Sequence, residues 1–361
     1  MQFIDAPPPV PLAYGLRDAL QLDRSMFDPW VESAAASFET RLPIPASCDR
    51  FKSEGFFRLK KHLRSICFAP EGDQRVGNVF CIKGMEPLAP DFSAALDRLV
   101  AQRRADSGLS LFDHFIQSED KLPGCVLFDE AIAEATVAAK VHLRLASDGE
   151  PLPRLPLPVL CVRLPQTTLD RAVRELVARA PRSVWPKIEA LAAVGLGAYV
   201  YWYPSLPLRV ADFRLGPGSA AALADRWIGL ASRLLRAGFL PTSAASLGRG
   251  QCCNRQNSVI DGGFVDLGSV VPIGDIGTQQ DLFAALHLMT WELSATILHV
   301  LGRPLRRDGS AVGRLDYGAL MVMHMVRDRL ASACGKDADA RLLQFFSATE
   351  TAESLAVALG T

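Results

Sequence analysis

Two oxygen-bearing side chains in the second half of the chain have the type and spacing of a cation site. Asn257 and Asp266 lie nine residues apart, on either side of the turn sequence Asp261-Gly262-Gly263. Asp-Gly favours a hairpin turn, because glycine adopts positive φ angles at little steric cost. The sequence therefore predicts two short strands, 257–260 and 264–268, joined by this turn. The amide and the carboxylate can share a hard cation such as Mg²⁺, which prefers oxygen ligands; alternatively, both are ordinary turn residues.

This segment resembles the metal-binding segment of protein-kinase-like folds, in which a catalytic-loop Asn precedes a β-hairpin that ends in Asp-Phe-Gly. Asn257 corresponds to that Asn, and Asp266-Leu267-Gly268 to the Asp-Phe-Gly. The spacing is most similar to that of the selenoprotein-O-type branch. The resemblance implies an α+β, bilobal fold with a small antiparallel-sheet N-lobe and a mainly helical C-lobe. It also implies ATP as the nucleotide, with Mg²⁺ or Mn²⁺ held by Asn257 and Asp266.

The usual catalytic base of kinases is missing from this loop. Typical kinases carry His-Arg-Asp, with the Asp five residues before the Asn, and here that position is Cys252. No G-x-G-x-x-G loop, the segment that lies over the nucleotide phosphates in kinases, is visible upstream. The sequence departs from the kinase pattern at this point too. Cys252 and Cys253 are adjacent, and a redox or nucleophilic pair is an alternative use of this loop.

A lysine at the end of a short strand is the candidate phosphate ligand. Lys83 ends the sequence VFCIK, which resembles the Val-Ala-Ile-Lys strand of kinases, and Gly84 follows it as in selenoprotein-O-type proteins. A predicted helix over 128–142 carries Glu130 and Glu134, which share a face because they are four residues apart. The resemblance implies that Glu134 pairs with Lys83; the alternative is a solvated acidic helix face.

Three further residues are candidates for nucleotide binding. Tyr203 ends an aromatic strand, 198–203, that runs into a Pro-rich connector and looks like an inter-lobe hinge. The backbone of such a hinge would meet the adenine, whereas the alternative is a core strand with aromatic packing. Arg249 and Arg255 flank the loop around Asn257, where they contact phosphate or simply face solvent.

The elements that must position these residues change character along the chain. The pattern predicts an N-terminal arm and helix over 1–45, an N-lobe with inserted helices over 46–203 and a helical C-lobe over 204–361. Short strands are predicted before Lys83, at 55–59, 65–68 and 78–83, because β-branched and aromatic residues cluster there between turn residues. Most of the chain after 219 has helical periodicity, interrupted by the metal-binding hairpin.

Composition narrows the classes of partner. The chain has 361 residues, 49% of them hydrophobic and 22% charged, which predicts a globular protein with a large core. Lys plus Arg equals Asp plus Glu, so no basic excess indicates a nucleic-acid partner. No signal-peptide pattern and no uninterrupted apolar span are visible, and the eight cysteines contain no CxxC. We therefore expect reduced thiols, a cytoplasmic location and no membrane partner.

Three functions are consistent with these residues. The first is an ATP-dependent transferase that moves a phosphoryl or adenylyl group to an unknown small-molecule or protein acceptor. The second is a pseudokinase, in which the same fold serves as a nucleotide-binding or docking module. The third is an unrelated, non-catalytic α+β protein whose hairpin is structural.

Overall fold

The structure is a computed structural model that describes residues 56–58, 65–68, 79–84, 86–88, 92–107, 110, 112–118, 120–147, 154–212, 217–241, 252–302, 317–335 and 339–347. These residues form an α+β protein that is mostly helical and has small antiparallel sheets. The chain divides into two compact units, Met1–Ala139 with Leu157–Leu206, and Lys140–Pro156 with Pro207–Thr361. The domain boundaries predicted from sequence stay a prediction, and the predicted arm over 1–45 lies outside the described residues.

The first unit is built around a five-stranded antiparallel sheet with the order β1-β2-β3-β5-β4. The three strands predicted before Gly84 are present. Valine, isoleucine, tyrosine and phenylalanine dominate the longer strands, as expected for residues that pack well on a pleated surface. The strands are β1 (Phe56–Arg58), β2 (Ser65–Phe68), β3 (Val79–Lys83), β4 (Leu157–Arg163) and β5 (Gly197–Tyr203).

The register of this sheet brings four polar or soft side chains into one row. Ser65 pairs with Lys83, Lys83 with Tyr199, and Tyr199 with Cys161. Directly paired residues point to the same face of a sheet, so the row runs across β2, β3, β5 and β4 on one side. All four residues are buried. The sheet therefore has a face on which a charged lysine lies among tyrosine and cysteine.

Helices cover both faces of the sheet. The first unit contains α1 (Phe92–Ser107), the start of α2 (Phe128–Ser147), α3 (Gln166–Val177) and α4 (Trp185–Ala193). On the side opposite Lys83, Ile82 and Val200 belong to a hydrophobic core with residues of α1, α3 and α4, among them Leu96, Leu176 and Ile188. On the lysine side, the Cys161 thiol donates to the Ala131 carbonyl of α2 at 3.5 Å. Helix α2 is thus the element that packs over the Lys83 row.

The second unit is helical apart from short strand pairings. It contains α5 (Pro217–Arg236), α6 (Gln279–Val300), α7 (Tyr317–Cys334) and α8 (Ala340–Ser347), and the strand pair β6 (Phe239–Leu240) and β7 (Val271–Pro272). Thr278 caps α6, since its hydroxyl accepts from the Asp281 amide at 3.0 Å. Within the described ranges, no helix combines the length and the apolar character needed to cross a membrane.

Candidate functional site

Lys83 and Glu134 form a buried ion pair in the first unit. The Lys83 Nζ lies 2.6 Å from Glu134 Oε2, and the two side chains are 8% and 2% exposed. Strand β3 delivers the lysine at its last residue, and α2 delivers the glutamate in its second turn. The pairing predicted from sequence is therefore confirmed, and Glu134 is not part of a solvated acidic face. Its catalytic role stays a prediction.

The negative charge of Glu134 affects its neighbours in the Lys83 row. Burial, followed by the charge of Glu134, raises the pKa of Tyr199 well above its ordinary value. The same two causes, in the same order, raise the pKa of the Cys161 thiol to about 12. Both groups therefore stay neutral at physiological pH. Lys83 and Glu134 are therefore charged side chains among neutral, buried neighbours. Their ion pair holds the Lys83 ammonium group at a defined place.

Gly84 fixes the backbone directly after the lysine. It has a φ of +101°, and a Cβ built there would lie 2.4 Å from the Gly197 carbonyl oxygen. Any side chain at this position would therefore require both a left-handed backbone and a displaced strand β5. The glycine that follows the lysine in the sequence pattern thus has a physical reason in this chain: it lets the end of β3 lie against the start of β5.

The hairpin around Asn257 and Asp266 differs from the two strands predicted. Its turn is present: Gly262 has a φ of +95°, and the Asp261 carboxylate accepts from the Gly263 amide at 2.9 Å. The flanking strands, however, are reduced to one bridge between Ser258 and Phe264. The prediction of strands over 257–260 and 264–268 was therefore wrong.

The hairpin keeps its own cross-arm bond from the Val259 amide to the Gly263 carbonyl at 2.9 Å, and the amides that point away from the opposite arm bind other segments. The Phe264 amide donates to the Arg154 carbonyl at 3.1 Å, and the Ile260 amide to the Leu208 carbonyl at 2.9 Å. The arms are still linked at the candidate site, since the Val265 amide donates to the Asn257 carbonyl at 2.8 Å. Asn257 and the residue that precedes Asp266 are therefore hydrogen-bonded neighbours.

Asp266 has an unusual backbone conformation. Its φ of 68° and ψ of 63° are left-handed, and the chain continues from it into the short 3-10 helix Leu267–Ser269. The prediction that Asp266 lies in a strand was therefore wrong. Left-handed backbone is uncommon outside glycine and costs about 1–2 kcal/mol, although Asp and Asn tolerate it better than most residues. Such strain clusters at functional sites, which makes Asp266 a better candidate than its sequence context alone.

Arg209 holds the side chain of Asn257, a contact that no pattern in the sequence predicts. Its Nη1 donates to Asn257 Oδ1 at 3.0 Å and to the Gln256 carbonyl at 2.6 Å. Arg209 is also bridged to Val259 through the backbone. The two residues are 48 positions apart and share no motif. An amide oxygen has two lone pairs, so Asn257 Oδ1 can accept from Arg209 and still face a cation with the other.

The loop that carries Asn257 is anchored by buried groups. Cys252 and Cys253 are fully buried, and the Cys252 thiol points to the Val265 carbonyl at 3.9 Å. The Cys253 carbonyl accepts from the hydroxyls of Ser258 and Thr296, each at 3.1 Å. The position at which the resemblance would place a catalytic base thus carries a thiol that packs inside the loop. The Cys253 thiol points to the Pro241 carbonyl, also at 3.9 Å, so the two thiols face different carbonyls and not each other. This geometry does not fit a redox pair, and the burial of both thiols does not fit an attack on an external substrate.

The remaining candidates for nucleotide binding have different surroundings. Tyr203 is fully buried at the end of β5, paired with Val79, so its side chain is a core residue and only its backbone is suited to the predicted contact. Arg255 is exposed, as expected either for a phosphate ligand or for a solvent-facing residue. Arg249 lies outside the described residues.

The donor set at the hairpin limits which cation it suits. No group of three or more His, Cys, Asp or Glu side chains that could hold a metal lies in the part of the chain that the structure describes. One amide and one carboxylate oxygen fit Mg²⁺ or Mn²⁺ only if phosphate oxygens and water complete the coordination, which is how Mg²⁺ usually binds. Comparisons with models of protein families, with curated proteins and with solved structures gave no match.

Proposed function

We propose that the protein is an ATP- and divalent-metal-dependent transferase of the atypical kinase-like type, with a bilobal kinase-like fold. It would move a phosphoryl or adenylyl group to a small-molecule or protein acceptor. The observation that carries the proposal is the buried ion pair between Lys83 and Glu134. A strand lysine paired with a helix glutamate is the arrangement by which kinases hold nucleotide phosphates, although here helix α1 lies in the chain between the strand and the helix that carries Glu134.

Stability alone is a poor reason for such a pair. Removing two charges from water costs several kcal/mol per ion, and well-packed apolar residues often stabilise a protein as much or more. Lys83 and Glu134 are both almost fully buried, so this cost applies to them in full. A functional need for a fixed ammonium group accounts for the pair without requiring a gain in stability. In the proposal, Glu134 orients Lys83, and Lys83 binds phosphate oxygens.

Asn257 and Asp266 would hold the metal ion. A bound Mg²⁺ or Mn²⁺ neutralises charge that develops on phosphate oxygens. The left-handed backbone of Asp266 supports this assignment, because it fixes the residue that carries the carboxylate donor. Donors held in place before the ligand arrives do not lose side-chain freedom on binding.

The reaction would proceed without the usual aspartate base. Cys252 occupies that position, and its thiol is buried against the Val265 carbonyl, so it does not abstract a proton from an acceptor. Phosphoryl transfer depends mainly on positioning and on electrostatic stabilisation, so the lack of this base lowers the rate without preventing the reaction. Adenylyl transfer uses the same groups on a different phosphorus atom.

A pseudokinase is the second candidate, and the Arg209 contact favours it. A guanidinium on Asn257 Oδ1 brings a positive charge next to a cation ligand, which weakens metal binding. Together with the buried thiol at the base position, this contact suits a module that binds nucleotide without turnover. The third possibility, an α+β protein with a structural hairpin, predicts no nucleotide binding at all.

A thermal-shift titration with ATP, with and without Mg²⁺ or Mn²⁺, tests the proposal. A ligand at about 100 times its Kd stabilises by roughly 2.7 kcal/mol, which such a scan detects. Asp266→Asn should abolish the metal-dependent shift while keeping the melting temperature, because Asn also tolerates left-handed backbone. Asp261→Asn is the matched control in the same turn, since its remaining oxygen can still accept from the Gly263 amide; it should behave as wild type.

Each outcome selects one of the three functions. No shift in the wild-type protein under any condition leaves only the structural hairpin. A shift that persists in Asp266→Asn contradicts the metal assignment. When the shift is metal-dependent, labelled ATP separates the transferase from the pseudokinase. Transfer of an α-phosphate label indicates adenylyl transfer, and transfer of a γ-phosphate label indicates phosphoryl transfer. No transfer of either label indicates the pseudokinase.

A further inference from the structure

Two cysteines on neighbouring strands of the first unit have sulfur atoms in close contact. Cys67 of β2 and Cys81 of β3 are direct cross-strand partners, and their Sγ atoms lie 2.7 Å apart. Non-bonded heavy atoms pack best at about 3.5–4.0 Å, and a disulfide bond is about 2.05 Å long. The two free thiols are therefore in hydrogen-bond contact, with their sulfur atoms closer than in ordinary packing and farther apart than in a disulfide bond.

The backbone already meets the demands of a disulfide. Residues directly opposite each other in an antiparallel pair have Cα atoms about 4.5–5.5 Å apart, within the range of about 4.4–6.8 Å found for disulfides. The Cβ atoms of such pairs are about 4.5–5.5 Å apart, and a disulfide needs about 3.5–4.5 Å. Cys67 and Cys81 point to the same face of the sheet, so a small approach of β2 towards β3 suffices.

We propose that Cys67 and Cys81 form a reversible disulfide under oxidising conditions. Hydrogen peroxide serves as the oxidant and reaches the two buried thiols when the sheet opens locally. One thiolate attacks the peroxide, becomes a sulfenic acid and releases hydroxide, which takes up the proton that this thiol has lost and forms water. The second sulfur then displaces the hydroxyl group, forming the S–S bond and a second water molecule. The two thiols lose two protons and two electrons, and the peroxide takes up both. A dithiol reductant reverses the change by thiol–disulfide exchange.

The position of this bond gives it a consequence for the candidate site. Cys81 precedes Lys83 by two residues on β3, so both side chains lie on the same face of the sheet. On β2, Ser65 pairs with Lys83 just as Cys67 pairs with Cys81. The disulfide would therefore tie β2 to β3 beside the lysine and hold the end of β3 in one register. This inference does not depend on nucleotide binding.

Thiol counting and mass spectrometry test the proposal directly. The full-length protein is treated with hydrogen peroxide and then denatured and alkylated without reductant. We expect the wild type to lose two of its eight reactive thiols, and the peptides that contain Cys67 and Cys81 to be recovered joined. Because closing a loop of this length constrains the unfolded chain, the melting temperature should rise by about 4 °C and return with reductant.

Variants separate this pair from other thiols. Cys67→Ala and Cys81→Ala should each lose no further thiols and show no oxidant-dependent rise in melting temperature. Cys161→Ala is the matched control, because Cys161 is buried on the same face but its thiol points to the Ala131 carbonyl; it should still form the bond. A second arm refolds the wild type in a glutathione redox buffer, in which both thiols become accessible. If neither arm joins the two peptides, the proposal is overturned.

Discussion

Replacing Lys83 with methionine should strongly destabilise the protein unless Glu134 is replaced as well. The methionine keeps most of the side-chain volume but leaves a carboxylate buried without its counter-charge. At the observed separation of 2.6 Å, the attraction between the two charges is about 6 kcal/mol at an effective dielectric constant of about 20. Part of that energy offsets desolvation, and breaking buried pairs costs about 3–5 kcal/mol in practice. We expect a loss of that size for Lys83→Met.

The double variant Lys83→Met/Glu134→Leu should recover most of the lost stability. It removes both charges and fills the site with apolar side chains, and such replacements are often neutral or stabilising. Urea unfolding of the wild type, both single variants and the double variant gives the coupling energy. The exposed pair Lys187–Asp120 is the control: its atoms are also 2.6 Å apart, but the side chains are 38% and 71% exposed. Removing that pair should cost less than about 1 kcal/mol.

Nucleotide binding separates the structural role of the pair from its functional role. The double variant should be folded and stable, and yet show no thermal shift with ATP and Mg²⁺, because the phosphate ligand is gone. An ATP shift equal to that of the wild type would refute the role of Lys83 in binding phosphate. If Lys83→Met is no less stable than the Lys187→Met control, the energetic argument from burial is wrong.

Two further predictions concern stability alone. Burial lowers the pKa of His142 to about 4, and a hydrogen bond with the Pro156 carbonyl opposes this shift. The unfolded chain therefore takes up a proton below about pH 6.5, whereas the folded protein stays unprotonated at His142 until about pH 4. The His142 contribution to the unfolding free energy should therefore fall by about 2 kcal/mol between pH 7 and pH 5, in addition to that of His287, whose pKa burial also lowers to about 4. In urea titrations His142→Gln should remove its own part of this fall, and an unchanged slope would contradict the assignment. Gly84→Ala should cost more than about 2 kcal/mol, because it adds left-handed strain to a clash with the Gly197 carbonyl. Calorimetry should show little change in the control Gly274→Ala, where a Cβ meets nothing within 4 Å.

The parts of the structure that follow from local patterns were predictable from sequence. The strand that ends in Lys83 contains valine, phenylalanine and isoleucine, and the helix that carries Glu134 has four-residue spacing, so both elements were expected where they occur. The pairing of these two residues followed from the resemblance to kinase-like proteins rather than from spacing. Nothing in the sequence sets the strand register, so the row that adds Tyr199 and Cys161 became visible only when the strands were paired.

The candidate hairpin was predictable in its turn and not in its arms. Asp261 and Gly262 fix a local conformation, which is why the turn was found. The contact of Arg209 with Asn257 depends on a segment distant in sequence, and the left-handed conformation of Asp266 breaks the strand pattern of its neighbours. The strand and turn propensities of single residues do not report such contacts, because a backbone amide can donate its hydrogen bond equally well to a strand partner or to a remote carbonyl.

The strand order has a consequence for how the first unit is assembled. Strand β5 lies between β3 and β4 and pairs Tyr203 with Val79, so the sheet joins segments far apart in the chain. Until β5 is in place, β3 and β4 each present an edge with unpaired backbone groups, and such edges promote aggregation. Pairings between distant segments also form slowly, since loop closure must precede them. During synthesis, the surroundings of Lys83 therefore cannot form until Tyr199 has left the ribosome. Truncated chains that end before Gly197 should accumulate as aggregates.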